Sequence, residues 1–257
     1  MPIPLIDSHC HLDDDRFDED RDQVVQRARR AGITRMVIPA TTAARWHKVR
    51  QVTEMYNGVY ASYGLHPMFM SDHSRDAVDR LDEWLDQNEA VALGECGLDF
   101  YNDDADSEAQ LELFRNQLAL ARSHQLPVII HARKALDLIL REIRNSGVQS
   151  GVVHSFSGSL QQAQQLAELG FKLGIAAIVG YERAQKLRQV VAEIDMQALL
   201  IETDAPDQSG PQHKGQRNEP QFIGDHLQTI AQLRSMGIED CASKLNQNCI
   251  QLFGLSD

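Results

Sequence analysis

The sequence predicts a (β/α)8 barrel in a single domain, and three observations carry that expectation. Eight short apolar runs alternate with amphipathic stretches of helix length, and the runs are apolar on consecutive residues. That is the pattern of a parallel sheet covered on its outer side. The length of 257 residues matches the roughly 250 that one such barrel takes. His, Glu and Asp recur where the apolar runs end, and in a parallel barrel those ends share one rim. An open, doubly wound sheet is the alternative arrangement of the same units. No linker, low-complexity stretch or strong internal repeat divides residues 1–257.

Each element has a local reason. Pro4-Leu5-Ile6 is a short buried strand before a polar segment. Asp18 to Ala31 reads as a helix, with Val24, Val25 and Ala28 on one side and Gly32 as its stop. Met36-Val37-Ile38 is a strand, Ala43 to Tyr56 a helix ended by Asn57-Gly58, and Val59 to Gly64 a strand running into Leu65-His66-Pro67. A helix follows over Asp76 to Asn88, on Val78, Leu81, Trp84 and Leu85, then a strand from Ala90 to Leu93 that leads into Gly94-Glu95. Ser107 is placed to cap a helix running to His124, with Leu111, Phe114, Leu118 and Ala121 as its buried stripe. Pro127 to Ile130 is a strand ending at His131, and Ala135 to Asn145 a helix on Leu136, Ile139, Leu140 and Ile143. Gly151-Val152-Val153 ends at His154, and Ser159 to Leu169 is a helix stopped by Gly170. The strand Phe171 to Ile175, the helix Ala184 to Ile194 and the strand Leu199 to Ile201 lead to Glu202-Thr203-Asp204. Helices over about 222–236 and 238–253 close the chain.

Composition narrows the function. A formal net charge of −12 argues against broad wrapping of duplex nucleic acid, though not against a site that takes one phosphate at a time. No apolar run approaches the roughly 20 residues of a membrane span, and Met1-Pro2-Ile3-Pro4 has no basic segment of a secretory signal. The cysteines, Cys10, Cys96, Cys241 and Cys249, are dispersed, as suits free thiols in the cytoplasm. Nothing calls for an obligate protein partner.

The chemistry collects at the rim. In Asp7-Ser8-His9-Cys10-His11, side chains two apart share a face, so His9 and His11 converge while Cys10 turns away to pack. His66, His131 and His154 follow other runs, so five of the ten histidines lie at strand ends. With Glu95 and Asp204 this set is too large for one tetrahedral ion and suits two. Glu95, mid-barrel, is the expected bridge; His9, His11 and Asp204 fall to one ion, and His131 and His154 to the second. Such mixed imidazole–carboxylate ligands suit zinc, manganese, cobalt or nickel more than magnesium alone. Two ions about 4 Å apart can share a hydroxide and clamp a phosphoryl oxygen, and Asp204 can accept the water's proton. The plainer role for Asp204 is a helix N-cap before Pro206.

In this arrangement the sequence resembles the TatD-type deoxyribonucleases of the metal-dependent hydrolase superfamily, over Ile6 to Phe253. The resemblance rests on Asp7-Ser8-His9-Cys10-His11, Gly64-Leu65-His66-Pro67, Gly94-Glu95-Cys96-Gly97-Leu98-Asp99, His131-Ala132-Arg133 and His154-Ser155-Phe156-Ser157-Gly158. Glu202-Thr203-Asp204-Ala205-Pro206 and Arg217-Asn218-Glu219-Pro220 complete it. It implies a barrel, two divalent cations on His9, His11, Glu95, His131, His154 and Asp204, and phosphodiester hydrolysis, often at a DNA strand end. Cys96 stands where the family commonly has a β-branched residue, and Asp207 where it commonly has an aromatic.

Around that core, Arg133 is expected to hold a substrate phosphate, or else to form a surface ion pair. His66 is expected to contact substrate. Arg217 and Asn218, in the loop after the last strand, are read either as substrate contacts or as a network locking the loop. Glu202 is expected to orient a ligand from behind. The function expected is phosphodiester hydrolysis on DNA ends or oligonucleotides. The alternative keeps the metals but cleaves an acyl ester or amide, including an aminoacyl linkage to RNA. A barrel that binds without turnover would be expected to have lost ligands, and every position here is filled.

Overall fold

A computed structural model describes residues 2–102 and 106–255. Among these, strands β1 (Leu5–Asp7), β2 (Ile33–Pro39), β3 (Val59–Tyr63), β4 (Ala92–Asp99), β5 (Val128–Arg133), β6 (Gly151–Val153), β7 (Phe171–Ile175) and β8 (Leu199–Ile201) form one parallel sheet in sequence order. The ring closes where the Ser8 N–H donates to Ile201 O (3.1 Å) and the Asp204 N–H to His9 O (2.9 Å). Eight parallel strands with intervening helices make the expected (β/α)8 barrel.

The helices are α1 (Arg21–Arg30), α2 (Trp46–Met55), α3 (Ala77–Gln87), α4 (Ser107–Ser123), α5 (Leu136–Ser146), α6 (Leu160–Glu168), α7 (Gln185–Glu193), α8 (Ile223–Leu233) and α9 (Ile238–Phe253). Their apolar stripes pack on the outward strand residues in one continuous core that includes Val24, Val49, Leu81, Phe114, Ile139, Leu166 and Val190. A second apolar cluster lies inside the barrel. It joins Ile6, Val37, Ala92, Ile129, Val152 and Leu200 to Cys249, Leu252 and Phe253 of α9 and to Leu255 just beyond it. The last helix therefore plugs the end of the barrel opposite the ligand rim.

The structure corrects several local expectations. The helix expected from Asp18 starts at Arg21, after a 3-10 turn over Asp15–Phe17. Ion pairs hold this entry segment: Asp15 meets Arg45 at 2.6 Å and Asp18 meets Lys48 at 2.7 Å. Asp106, not Ser107, caps α4 by accepting the Ala109 N–H at 3.0 Å. The capping box at Ser159, closed by Gln162, starts α6 as its spacing suggests.

The α4 stripe also differs. Leu111 is only half-buried, whereas Gln110 and Gln117 are buried. Gln117 bonds both N–H (2.8 Å) and C=O (2.9 Å) of Leu65, beside His66. Gln110 does the same for Asp99 (2.8 and 3.0 Å). Two amides on one face of α4, two turns apart, thus pin two strand ends, a use of polarity that an apolar-stripe argument does not anticipate.

Candidate metal centre

Three of the strands build the site by simple alternation. Along β5, β6 and the β8 exit, inward apolar residues are followed two positions later by polar ones: Ile129 then His131, Val152 then His154, Leu200 then Glu202 and Asp204. β1 ends at Asp7, short of the expected ligands, but the extended chain stays paired: the Cys10 N–H donates to Val37 O (3.1 Å) and the His11 N–H to Ala205 O (2.7 Å). His9 and His11 face the barrel mouth, and Cys10 packs outward in the helix-side core.

β4 needs a distortion. It runs on past Leu93 to Asp99, and between Leu93 and Cys96 its pairing with β5 gains one residue. This is a bulge, which re-aims a side chain, and it turns Glu95 inward. Glycines permit it. Gly94 and Gly97 have φ of 155° and 133°, and a Cβ at Gly97 would lie 2.1 Å from His131 O.

Glu95 stands at the centre, almost fully buried, with its two oxygens facing different sets of groups. Oε2 lies 3.4 Å from His9 Nε2 and 3.5 Å from His11 Nε2. Those nitrogens are 3.3 Å apart, and each is 3.5 Å from Asp204 Oδ1. Donors each about 2.1 Å from a tetrahedral zinc lie about 3.4 Å from one another, close to these five separations. Oε1 lies 2.8 Å from His154 Nε2 and 3.3 Å from His131 Nδ1, which are 3.2 Å from each other. The second set has three donors, and both sets offer imidazole nitrogen and carboxylate oxygen to a divalent ion.

The electrostatics fit the same reading. Burial alone would lower the pKa of His11, but the Asp204 and Glu95 carboxylates outweigh it and hold it at about 10. For His154, Glu95 likewise outweighs burial and sets about 9. Burial and the neighbouring His154 bring His9 down to about 4. Burial pushes the Glu95 carboxyl up, yet the surrounding histidines, His154 first, bring it well below the usual range. Protons here share the positions that a cation's charge would take over.

His66 joins this cluster from the side. Its Nδ1 accepts the Met68 N–H at 3.0 Å, which leaves the proton on Nε2, and Nε2 donates to Glu95 Oε1 at 2.9 Å. With its Nε2 protonated, His66 is a donor at the mouth rather than a ligand. Asp99 was missed as a functional residue: its Oδ2 lies 2.8 Å from His131 Nε2 and orients that ring. No local pattern signals it, because Asp99 comes opposite Arg133, two residues past His131, only when β4 and β5 pair. Gln208, also missed, donates to Asp204 Oδ2. Asp7 is buried and receives the Thr203 N–H (3.0 Å) and hydroxyl (2.5 Å), which ties the two ligand-bearing segments together.

The outer residues divide. The Arg133 guanidinium lies over the Tyr101 ring, 3.5 Å from its centroid, and both are exposed beside the mouth. Arg217 and Asn218 are not brought to the cluster. Arg217 bonds Asp20 (2.7 Å) and Glu219 (3.1 Å), and buried Asn218 donates to Thr203 O and Asp207 O, both at 2.8 Å. Their donors are spent on locking the loop, so the substrate-contact expectation gives way to the other one. Asp204 is not a helix N-cap. It sits at φ 58° in the left-handed region, as do Lys134 and Ser155 just past two other strand ends. Side-chain-bearing residues held there cost about 1–2 kcal/mol each, and such strain clusters at functional sites.

Comparison with known proteins gives the family. The family model described as TatD related DNase covers residues 6–254. An uncharacterized metal-dependent hydrolase of Escherichia coli K12, YjjV, is 38% identical over 99% of this chain and 100% of its own length. A protein of Erwinia amylovora named 3'-5' ssDNA/RNA exonuclease TatD is 33% identical over 98% of this chain and all of its own. The crystal structure of YjjV superposes with a TM-score of 0.96 at 37% identity, covering both chains in full. Taken with the His, Glu and Asp donors gathered at one mouth of the barrel, these likenesses show that the chain belongs to the TatD related DNase family of metal-dependent hydrolases.

Proposed function

We propose that this chain, acting as one barrel domain, hydrolyses phosphodiester bonds at the ends of single-stranded nucleic acid with two divalent cations. His9, His11 and Asp204 hold the first, His131 and His154 the second, and Glu95 bridges them. The reading rests chiefly on Glu95, whose two oxygens each face a separate donor set. The named relative from Erwinia amylovora supports the substrate class. The net charge of −12 disfavours contact with a polyanion away from the rim, which limits the substrate to what the mouth itself can hold. Four buried free cysteines support a reducing, cytosolic setting.

When bound, two such ions polarise a phosphoryl oxygen and make a water nucleophilic at neutral pH. The chain's own residues do the rest. The Nε2–H of His66, which rests on Glu95 Oε1, would be freed to donate to a phosphoryl oxygen once a cation takes that carboxylate, and Arg133, held flat on Tyr101, offers a two-pronged donor to a flanking phosphate. Water attacks phosphorus, the bond to the leaving sugar oxygen breaks, and Asp204 carries the proton from the water to that oxygen. Glu202 supports the ligands from behind.

The test is hydrolysis of 5′-labelled single-stranded DNA and RNA, and of a chromogenic phosphodiester, beside an acyl ester. Stepwise shortening from the 3′ end, abolished by chelator, is expected. Turnover confined to the acyl substrate, or unaffected by chelator, would sink the proposal.

A further inference from the structure

Beneath the two donor sets lies a second group of polar atoms whose partner is still to be assigned. Nδ1 of His9, Nδ1 of His154 and Oε2 of Glu202 are buried without a protein hydrogen-bond partner. The His9 and His154 rings stack nearly parallel, centroids 4.0 Å apart. One ligating atom from each of His9, His154 and Glu202 lies within 4.8 Å of the other two. Glu202 is itself fully buried and fixed in place: its Oε1 accepts the Ser155 N–H at 2.5 Å. Gly174 of β7 gives it room, since a Cβ there would stand 2.1 Å from Oε2. Three unpaired polar groups in so dry a place are costly unless something joins them.

We propose that these three side chains enclose one buried water beneath the cation positions, and that Glu202 positions His9 and His154 through it. The inference rests on the metal reading above. Both histidines present Nε2 to a cation position, so their neutral rings carry the remaining proton on Nδ1. Two N–H donors turn a cation away despite the carboxylate but suit a water, which accepts from the rings and donates to Glu202. A direct bond is too long, with His154 Nδ1 3.8 Å from Glu202 Oε1. A water about 2.8 Å from each of three atoms spans separations up to about 4.8 Å, and a buried water usually makes about three hydrogen bonds. His9 belongs to the first donor set and His154 to the second. One carboxylate therefore steadies both ions from below, while Glu95 joins them directly from above.

The experiment compares wild type, Glu202→Gln and Glu202→Leu by titrating zinc into metal-free protein against a chelator of known affinity. Glu202→Leu is expected to weaken both bound ions about 10–100-fold. Glu202→Gln keeps the shape but has one acceptor oxygen for two donors, the Ser155 N–H and the water, so it is expected to recover only part of that affinity. The visible spectrum of the cobalt-loaded protein, which reports ligand geometry, should shift more for leucine than for glutamine. A crystal structure of the zinc-loaded wild type should show the water, and it decides the matter with Glu202→Gln if the leucine variant does not fold. Unchanged affinity at both ions in Glu202→Leu, loss at one ion alone, or a zinc-loaded crystal structure without the water overturns the proposal. No arm reads nucleic-acid turnover, so an inactive enzyme would refute the functional reading separately. A wild type that takes up no zinc would refute both.

Discussion

The two ends of this barrel are built from the same strands and solve opposite problems. At the closed end Ile6, Val37, Ala92, Ile129, Val152 and Leu200 meet Leu252 and Phe253 of α9, and no charged group intrudes among these described residues. At the open end, two to four residues beyond Ile6, Ala92, Val152 and Leu200, lie His9, Glu95, His154, Glu202 and Asp204, with His66 past the end of β3, buried to a similar degree but all polar. The closed end gains stability from apolar area removed from water. The open end is stable only because each desolvated charge faces an opposite one, or a cation when one is bound. Burial by itself therefore says nothing of role; the chemistry of what is buried does.

The contrast can be broken at its sharpest point by Glu95→Ala. It removes the group shared by both donor sets, so turnover should fall more than about 10³-fold and cation stoichiometry should drop, as read by metal analysis after gel filtration. Retention of two tightly bound ions would show that Glu95 does not join the sets. At the other end, Phe253→Ala should cost about 3–5 kcal/mol of stability in urea unfolding while the zinc-loaded protein keeps its stoichiometry. A variant that loses metal as readily as stability would mean the two ends are not separable. Gly97→Ala lies between them in kind: its Cβ would press on His131 O. It should weaken the His131–His154 ion by tenfold or so more than the other, measurable in the same chelator competition.

The ends should also differ in pH response. In metal-free protein His11 and His154 are raised to about 10 and about 9, and buried Glu202 to about 8. A pKa raised on folding contributes stability that is complete below the unfolded value and is lost as pH climbs through the folded one. The metal-free Tm should therefore fall between pH 6.5 and 10. Zinc loading should flatten that fall, with protons released on binding and apparent affinity rising with pH. Scanning calorimetry with and without chelator checks it, and a metal-free Tm that is flat or rising over this range would contradict it.

The smallest effect belongs to the exposed clasp over the mouth, where Arg16 pairs with Asp207 at 2.8 Å. Arg16→Ala should cost no more than about 0.2–1 kcal/mol, less in high salt. A larger loss of substrate affinity than of stability would make Asp207, an acid where the family commonly has an aromatic, part of the mouth.

How far the site was readable depends on how each residue reaches it. His131, His154, Glu202 and Asp204 follow from counting twos along a strand, because alternation is a local property of extended backbone. Cys10 facing away from His9 and His11 follows in the same way. Glu95 was found by its position in the chain, but the means by which it points inward, a bulge between two glycines, was not legible. Gln110, Gln117, Asp99 and Gln208 were not found, because each matters through a partner distant in sequence or supplied by a loop. Arg217 and Asn218 were open to two readings, and only the positions of Asp20, Thr203 and Asp207 settled which donors were already occupied.

The sequence by itself determined the barrel, the order of its strands, the rim that carries the chemistry and the kinds of donor it offers. These depend on periodicity and on residue type, which are properties of short stretches. Only the tertiary structure decided that Glu95 divides its two oxygens between separate sets, that His66 offers a proton rather than a lone pair, and that Glu202 lies beneath both. Those are matters of tenths of an ångström between atoms far apart along the chain, and they are set when eight strands close into a ring.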